Sequence, residues 1–287
     1  MSGLKHISVG KDGTVWGAGK TDGTLFHRQG GLGYAWMPNK AGKADVVAVG
    51  GKDNVWCVNK DGDVFEWDGQ GSKWRKDSGA SGAKTISAGA DGTVWYGKTD
   101  GALFRREGNA WHSVDGRAVI VAVGGRDNIW CVNKDGEVFE WDSQGSKWRK
   151  DSGASGAKTI SVGADGTVWY GKTDGTLFCR EGTAWHSVDG RATVVAVGGK
   201  GNVWCVNNDG DAFQLTTQNT WHKVDQPKGS WEYTVKQNDG LYAIVRQQYH
   251  LTDEKEVRRI GDLIAKDNHI QNKDRLVKDT VLNFQSY

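Results

Sequence analysis

Residues 83–116 read AKTISAGADGTVWYGKTDGALFRREGNAWHSVDG, and residues 157–190 return the string almost unchanged, AKTISVGADGTVWYGKTDGTLFCREGTAWHSVDG, 74 positions later. Between them lies a second kind of unit, VAVGGRDNIWCVNKDGEVFEWDSQGSKWRKDSGASG at residues 121–156, with kin beginning near Val47 and Val195. Alignment on the Trp that follows the first turn gives Trp16, Trp56, Trp95, Trp130, Trp169 and Trp204. A second Trp recurs at Trp36, Trp74, Trp111, Trp148, Trp185 and Trp221. There are thus six units. Each holds short β-favouring runs parted by turn pairs such as Asp91-Gly92 and Asp100-Gly101, room for four strands in about 35 to 40 residues. That is the content of one propeller blade.

Six such units could also form two threefold β-trefoils. The alternation decides between the two: odd units resemble odd units and even resemble even, a pattern that closes in one ring of six but divides unevenly over two rings of three. The expected fold is therefore an all-β six-bladed propeller with pseudo-threefold symmetry over residues 1–225. Unit one departs from its odd siblings, because Gly17-Ala18-Gly19-Lys20 is one residue longer than Tyr96-Gly97-Lys98 and residues 30–35 lengthen a later turn. A linker is expected at 226–230, Gln-Pro-Lys-Gly-Ser, followed by a small α+β domain at 231–287.

Composition narrows the function. Gly 42 against Pro 2, with Trp 15, describes many tight turns around organised packing. Lys plus Arg 37 nearly cancels Asp plus Glu 35, so no overall field draws the chain to nucleic acid or an anionic membrane. No run of about 18 apolar residues and no apolar leader is present, so membrane insertion is not expected. Cys57, Cys131 and Cys205 each follow the first Trp of an even unit, and Cys179 stands apart. Without CxxC or His-rich spacing, neither a disulfide framework nor a metal or other cofactor is expected. Single cysteines read as small strand hydrophobes of a cytoplasmic protein, with export, where it occurs, independent of a signal peptide.

The ordered Ser-Val-Gly, Asp-Gly-Thr-Val-Trp and Lys-Asp-Gly elements, with a closing Trp in each unit, resemble tectonin repeats of the tectonin and tachylectin-1 group of lectins, over residues 4–225. The resemblance implies a propeller that binds glycans, including bacterial lipopolysaccharide or O-methylated sugars. A sugar pocket needs an aromatic or apolar wall and fixed polar groups for the hydroxyls. The polar candidates lie in the turn after the first Trp strand: Asn59 and Lys60, Asn133 and Lys134, and Asn207 in even units, with Tyr96, Lys98, Tyr170 and Lys172 in odd ones. The aromatic candidates are Trp67 and Trp141, present in units two and four where unit six has Leu215; blade-edge packing competes with sugar stacking for them. The twelve recurrent tryptophans read as inter-blade packing. Basic stretches at Lys73, Arg75, Lys76 and at Lys147, Arg149, Lys150 suit either acidic glycans or a guarded sheet edge.

Beyond Trp231 the pattern changes. Residues 233–236 are strand-like, Leu241, Ile244, Val245 and Tyr249 recur at helical spacing, a second helix is expected from a capping box at Asp253, and residues 280–284 supply a closing strand. This β-α-α-β order, with Asn-Asp-Gly-Leu-Tyr-Ala-Ile before the first helix, resembles a LysM domain, which implies binding of N-acetylglucosamine polymers between two loops. The residues so placed are Asn238, Asp239, Gly240 and Leu241 in one loop, and Ile270, Gln271 and Asn272 in the other. Asn238-Asp239-Gly240 replaces the usual Gly-Asp-Thr.

Catalysis has little to stand on. The Asp-Gly-Thr-x-Trp element loosely resembles the Asp-box of sialidases, but glycosidase chemistry needs converging carboxylates from different blades, and no unit carries a distinctive set. His112, His186 and His222 all follow the second Trp, which marks them as structural repeats. The expectation is a non-enzymatic, multivalent lectin of innate defence recognising microbial or cell-surface glycans, with a protein-interaction scaffold as the rival and a six-bladed glycosidase behind it.

Overall fold

The computed structural model describes residues 3–29, 36–224, 230–249, 254–274 and 276–285. The 30–35 turn, residues 225–229 of the boundary and linker, and the capping Asp253 lie outside the described residues. Six four-stranded antiparallel sheets follow one another along the chain, at 4–43, 46–77, 83–117, 120–151, 157–191 and 194–223, each with its strands hydrogen-bonded in sequence order. The first strand of each sheet lies beside the first strand of the next, and Val194–Gly199 of the sixth returns to Leu4–Val9 of the first. The architecture is a six-bladed propeller.

The repeat explains the packing. Because each blade is covered on both faces by its neighbours, its second strand is buried but for one end residue, as in Asn54–Val58 and Val94–Lys98, which accounts for the uninterrupted Val-Trp-Cys-Val and Val-Trp-Tyr runs. The recurrent tryptophans pair across blade junctions. Trp16 meets Trp74, Trp56 meets Trp111, Trp95 meets Trp148, Trp130 meets Trp185 and Trp169 meets Trp221, mostly edge to face, with ring centroids 5.5 to 6.3 Å apart. At the sixth junction Trp204 and Trp36 share a core cluster, and the Arg28 guanidinium lies over both rings. Gly116 and Gly190 let the outer Trp of the next blade approach: a Cβ there would come within 2.8 Å of Trp148 and 2.6 Å of Trp221, at φ values of 107° and 115°.

Polar repeats tie the blades at their inner edges. Ser8, Ser87 and Ser161 accept the backbone N–H of Val49, Val123 and Val197 at 2.9 to 3.0 Å. The aspartate of Asp-Gly-Thr-Val-Trp accepts the N–H two residues on with one oxygen, and with the other an N–H of the next blade, as Asp12 does for Lys52 and Asp165 for Lys200. Asn54, Asn128 and Asn202 donate to carbonyls of the following odd blade. The ring closes in the same way: Leu4 N–H donates to the Gly210 carbonyl at 2.8 Å, as Ala83 does to Gly62 and Ala157 to Gly136 at 3.0 Å.

The segment after the propeller forms a two-stranded antiparallel sheet, Ser230–Thr234 with Val281–Gln285, enclosing helices α1 (Leu241–Tyr249) and α2 (Glu254–Asp267). Val235, Leu241, Ile244, Val245, Val257, Ile260, Ile264 and Leu282 make its core, separate from the propeller clusters. The order is β-α-α-β.

Candidate functional site

The inner strands surround a cavity of about 280 Å³ on the propeller axis, walled by His6, Ser8, Thr85, Ser87, Thr159 and Ser161 among others. Withdrawal from water, then the charge of Lys5, hold the His6 imidazole down to about 4. The channel-facing serines engage their oxygens in the inter-blade bonds above. The axis is chiefly scaffold.

One end of this channel carries the candidate residues. There the inner strands begin, and the hairpins after each second strand turn back beside them. Asn59 Oδ1 accepts the N–H of Asp61 and of Asp63, Asn133 Oδ1 those of Asp135 and Glu137, and Asn207 Oδ1 those of Asp209 and Asp211. The asparagine oxygens therefore build the hairpin. Two of the amides also donate, Asn59 to Asp63 and Asn133 to Glu137. Lys60 and Lys134 project from these turns into solvent.

The tyrosines belong to a different layer. Tyr96 and Tyr170 are each 2% exposed, stacked on Phe104 and Phe178 at 4.9 and 4.8 Å and met edge-on by Trp111 and Trp185. They support the odd hairpins from below and present no ligand surface, a correction to their placement as polar contacts. Lys98 and Lys172 lie over the rings of Phe104 and Phe178, each 4.9 Å from the centroid. Trp67 and Trp141 are also packing groups. Trp141 is 7% exposed, wedged against Trp95 and Trp148, and Trp67 repeats the arrangement with Trp16 and Trp74. Leu215 fills the corresponding place beside Trp169 in the fifth junction. The basic outer strands are largely neutralised by their neighbours, Lys76 by Asp63, Lys150 by Glu137 and Arg149 by Asp142.

What the structure does bring together is Lys98, Asn133 and Lys134. They line a concavity of about 540 Å³ over blade four, with Lys84, Lys158, Thr99, Thr173, Val119 and Ile120. Sequence reasoning missed Lys84 and Lys158. The signal was present, since a lysine stands second in each odd inner strand, but the sequence did not show that the lysines of blades three and five open onto the blade-four hairpin between them.

In the C-terminal segment the two loops meet, the Leu241 N–H donating to the Lys273 carbonyl at 3.1 Å. Asp239 is engaged internally, accepting from the Tyr233 hydroxyl and the Lys236 N–H. Leu241 is fully buried in the core, so its side chain faces no ligand, while Asn238 takes a left-handed φ of 68° in the turn and Gly240 faces open space. Ile270, Gln271 and Asn272 line a concavity of about 280 Å³ with Leu276 and the exposed Val277 and Val281. Asn238–Leu241 are not among its walls.

Burial among apolar side chains pushes the Cys57, Cys131 and Cys205 thiols up, the last to about 12, and all four cysteines are free. Among the described residues no group of three or more His, Cys, Asp or Glu is arranged to hold a metal ion.

This is a repeat-built six-bladed propeller whose candidate polar groups cluster on hairpins at one end of its channel. A sequence profile of the Tectonin domain matches residues 82–169 and 156–229, half of the chain, and the chain belongs to that family. Tectonin-2 of Physarum polycephalum is 44% identical over 69 residues, 24% of this chain and 18% of that protein, so the chain spans under a fifth of its relative's length. Among solved structures, the SapL1 lectin in complex with alpha methyl fucoside superposes with a TM-score of 0.54 at 14% identity, covering 77% of this chain and 95% of that one. Virginiamycin B lyase from Staphylococcus aureus gives 0.53 at 14% identity, covering 79% and 86%. Both likenesses concern the fold alone.

Proposed function

We propose that this chain is a non-enzymatic carbohydrate-binding protein whose propeller contacts microbial or cell-surface glycans through the hairpins at one end of the channel. Membership of the Tectonin family is the observation that carries this reading, and the lectin SapL1 supports it by placing a fucoside on the same fold. Repetition supplies what the shallow surface lacks in depth, since weak sites on one rigid ring gain avidity against a repetitive glycan. Lipopolysaccharide and O-methylated sugars are the ligand classes to examine first. The LysM-like reading of the C-terminal segment adds a second specificity, for N-acetylglucosamine polymers, with Ile270, Gln271 and Asn272 as the contacts. Four free cysteines suit a cytoplasmic protein.

The test is a glycan array probed with the full chain, including methylated, bacterial and N-acetylglucosamine ligands. Selective binding to any of these supports the lectin reading, and loss of only the N-acetylglucosamine signal in Gln271→Ala/Asn272→Ala assigns that part to the C-terminal segment. Silence across the array overturns it in favour of a protein-interaction scaffold.

A further inference from the structure

We infer that the concavity over blade four is a binding site for a phosphate or sulfate ester, that the propeller carries one such site rather than three, and that the residue just before each even inner strand decides which sector has it. This rests on the reading of the channel-mouth surface as a glycan-binding face, and names the ligand class one part of that face takes.

The charge balance of the cavity is the first observation. Lys84, Lys98, Lys134 and Lys158 line it against one carboxylate, Asp135. Lys84, Lys134 and Lys158 are exposed and make no ion pair among the described residues, while Lys98 is spread over the Phe104 ring. The neighbouring acids are already held: Asp100 lies 3.6 Å from Arg117, and Glu137 is bonded to Lys150 at 2.5 Å. Four ammonium groups around one shallow site, in a chain of nearly balanced charge, favour a group carrying more than one negative charge or several acceptor oxygens.

The second observation is that the same place is built differently in the other two sectors. Lys5, Lys84 and Lys158 each stand second in an odd inner strand, 79 and 74 positions apart because unit one is the longer, and the 74-residue repeat makes Asp45, Val119 and Thr193 equivalent. These last three share one backbone bond, each N–H donating to the carbonyl that ends the second strand: Val58, Val132 and Val206. In the sector over blade two, Asp45 takes Lys5 in a 2.5 Å ion pair. In the sector over blade six, Asn208 replaces Lys134, and the longer hairpin of blade one sends Lys20 across to the Asn208 carbonyl at 2.8 Å. Only over blade four does an apolar residue, Val119, stand at the deciding position. It is 47% exposed and offers an apolar wall to a sugar ring beside the charged ester.

The sector comparison supplies the test. Val119→Asp gives blade four the carboxylate blade two already has, at an exposed position that tolerates it, and Val119→Asn is the uncharged control. The full chain is titrated calorimetrically with a sulfated heparin tetrasaccharide, its desulfated counterpart and inorganic phosphate. Expected are one sulfated tetrasaccharide per chain, binding weakened by added salt, no heat from the desulfated sugar, and a loss of about tenfold or more in Val119→Asp with Val119→Asn and the melting temperature little changed. Asp45→Val, which frees Lys5, is expected to raise the stoichiometry above one. A Val119→Asp protein that binds as the parent does, a parent stoichiometry of three, or no binding of the sulfated probe would overturn the proposal, even where neutral glycans on the array leave the lectin reading intact. Inorganic phosphate that binds at this site as well as the tetrasaccharide does would keep the anion site and identify a free ion, not a glycan, as its ligand.

Discussion

Asp91 Oδ2 accepts the backbone N–H of Arg126 at 2.8 Å, while its Oδ1 accepts that of Thr93 at 3.0 Å, so one carboxylate both makes a turn in blade three and fastens it to blade four. Partial burial opposes ionisation, but the Arg126 and Thr93 donors outweigh it and hold the carboxyl below its ordinary range. Asp91→Ala leaves both N–H groups without this acceptor and is expected to cost about 1–3 kcal/mol in urea denaturation, with Asp91→Asn milder. The folded-state value is lowered, so the stabilisation is present above about 4 and disappears as pH falls through the folded value.

His6 occupies the position of Thr85 and Thr159 in the channel wall and is depressed to about 4. Its unfolded form takes up a proton near 6.5, where the folded form stays neutral. The stability it protects is complete above that value and falls away progressively towards pH 4. His6→Thr is expected to flatten the stability profile across this window by on the order of 1–2 kcal/mol, allowing for partial contact with water, as read from melting temperatures measured between pH 4 and 7.

Trp141 and Leu215 fill corresponding places, so Trp141→Leu has a precedent inside the same ring. It is expected to be folded and to cost about 1–3 kcal/mol, less than Trp141→Ala at about 3–5 kcal/mol. Glycan binding is expected to be unchanged in the leucine variant, whereas a sugar-stacking Trp would lose it on the array.

Asn268 joins the end of α2 to the closing strand through a reciprocal amide pair, accepting the Asn283 N–H at 2.6 Å and donating to the Asn283 carbonyl at 2.8 Å. Asn268→Ala removes both bonds, at an expected cost of about 1–2 kcal/mol. Asn268→Asp keeps the acceptor, removes the donor and is expected to fall short of the parent's stability as well. Hydrogen exchange at the Asn283 amide would read both variants.

Much of this was legible in the sequence because repetition turns one ambiguous strand pattern into six concordant ones. The paired tryptophans gave the blade count, and helical spacing gave α1 and α2. What escaped reading depends on neighbours rather than on period. Asn133 looks like a free polar group until the hairpin shows its oxygen occupied by two N–H groups, and Tyr96 looks exposed until Phe104 and Trp111 close over it. Lys84 recurs as the second residue of each odd inner strand, but neither it nor Val119 tells from the letters which surface it meets. Their meaning comes from the hairpins that rise beside them and from the Asp45 that replaces Val119 two blades earlier.

Among the described residues no blade borrows a strand from the other end of the chain, so the ring has a clasp and not a weld. Leu4 and Gly210 fasten it with the bond that also joins blades two to three and four to five. Yet Gly17 stands where those junctions have Tyr96 and Tyr170, and the Leu4 side chain packs directly against it. Parting the sixth and first blades leaves every covalent connection between blades intact, so the circle can open at the clasp into a curved ribbon whose remaining five junctions are still closed.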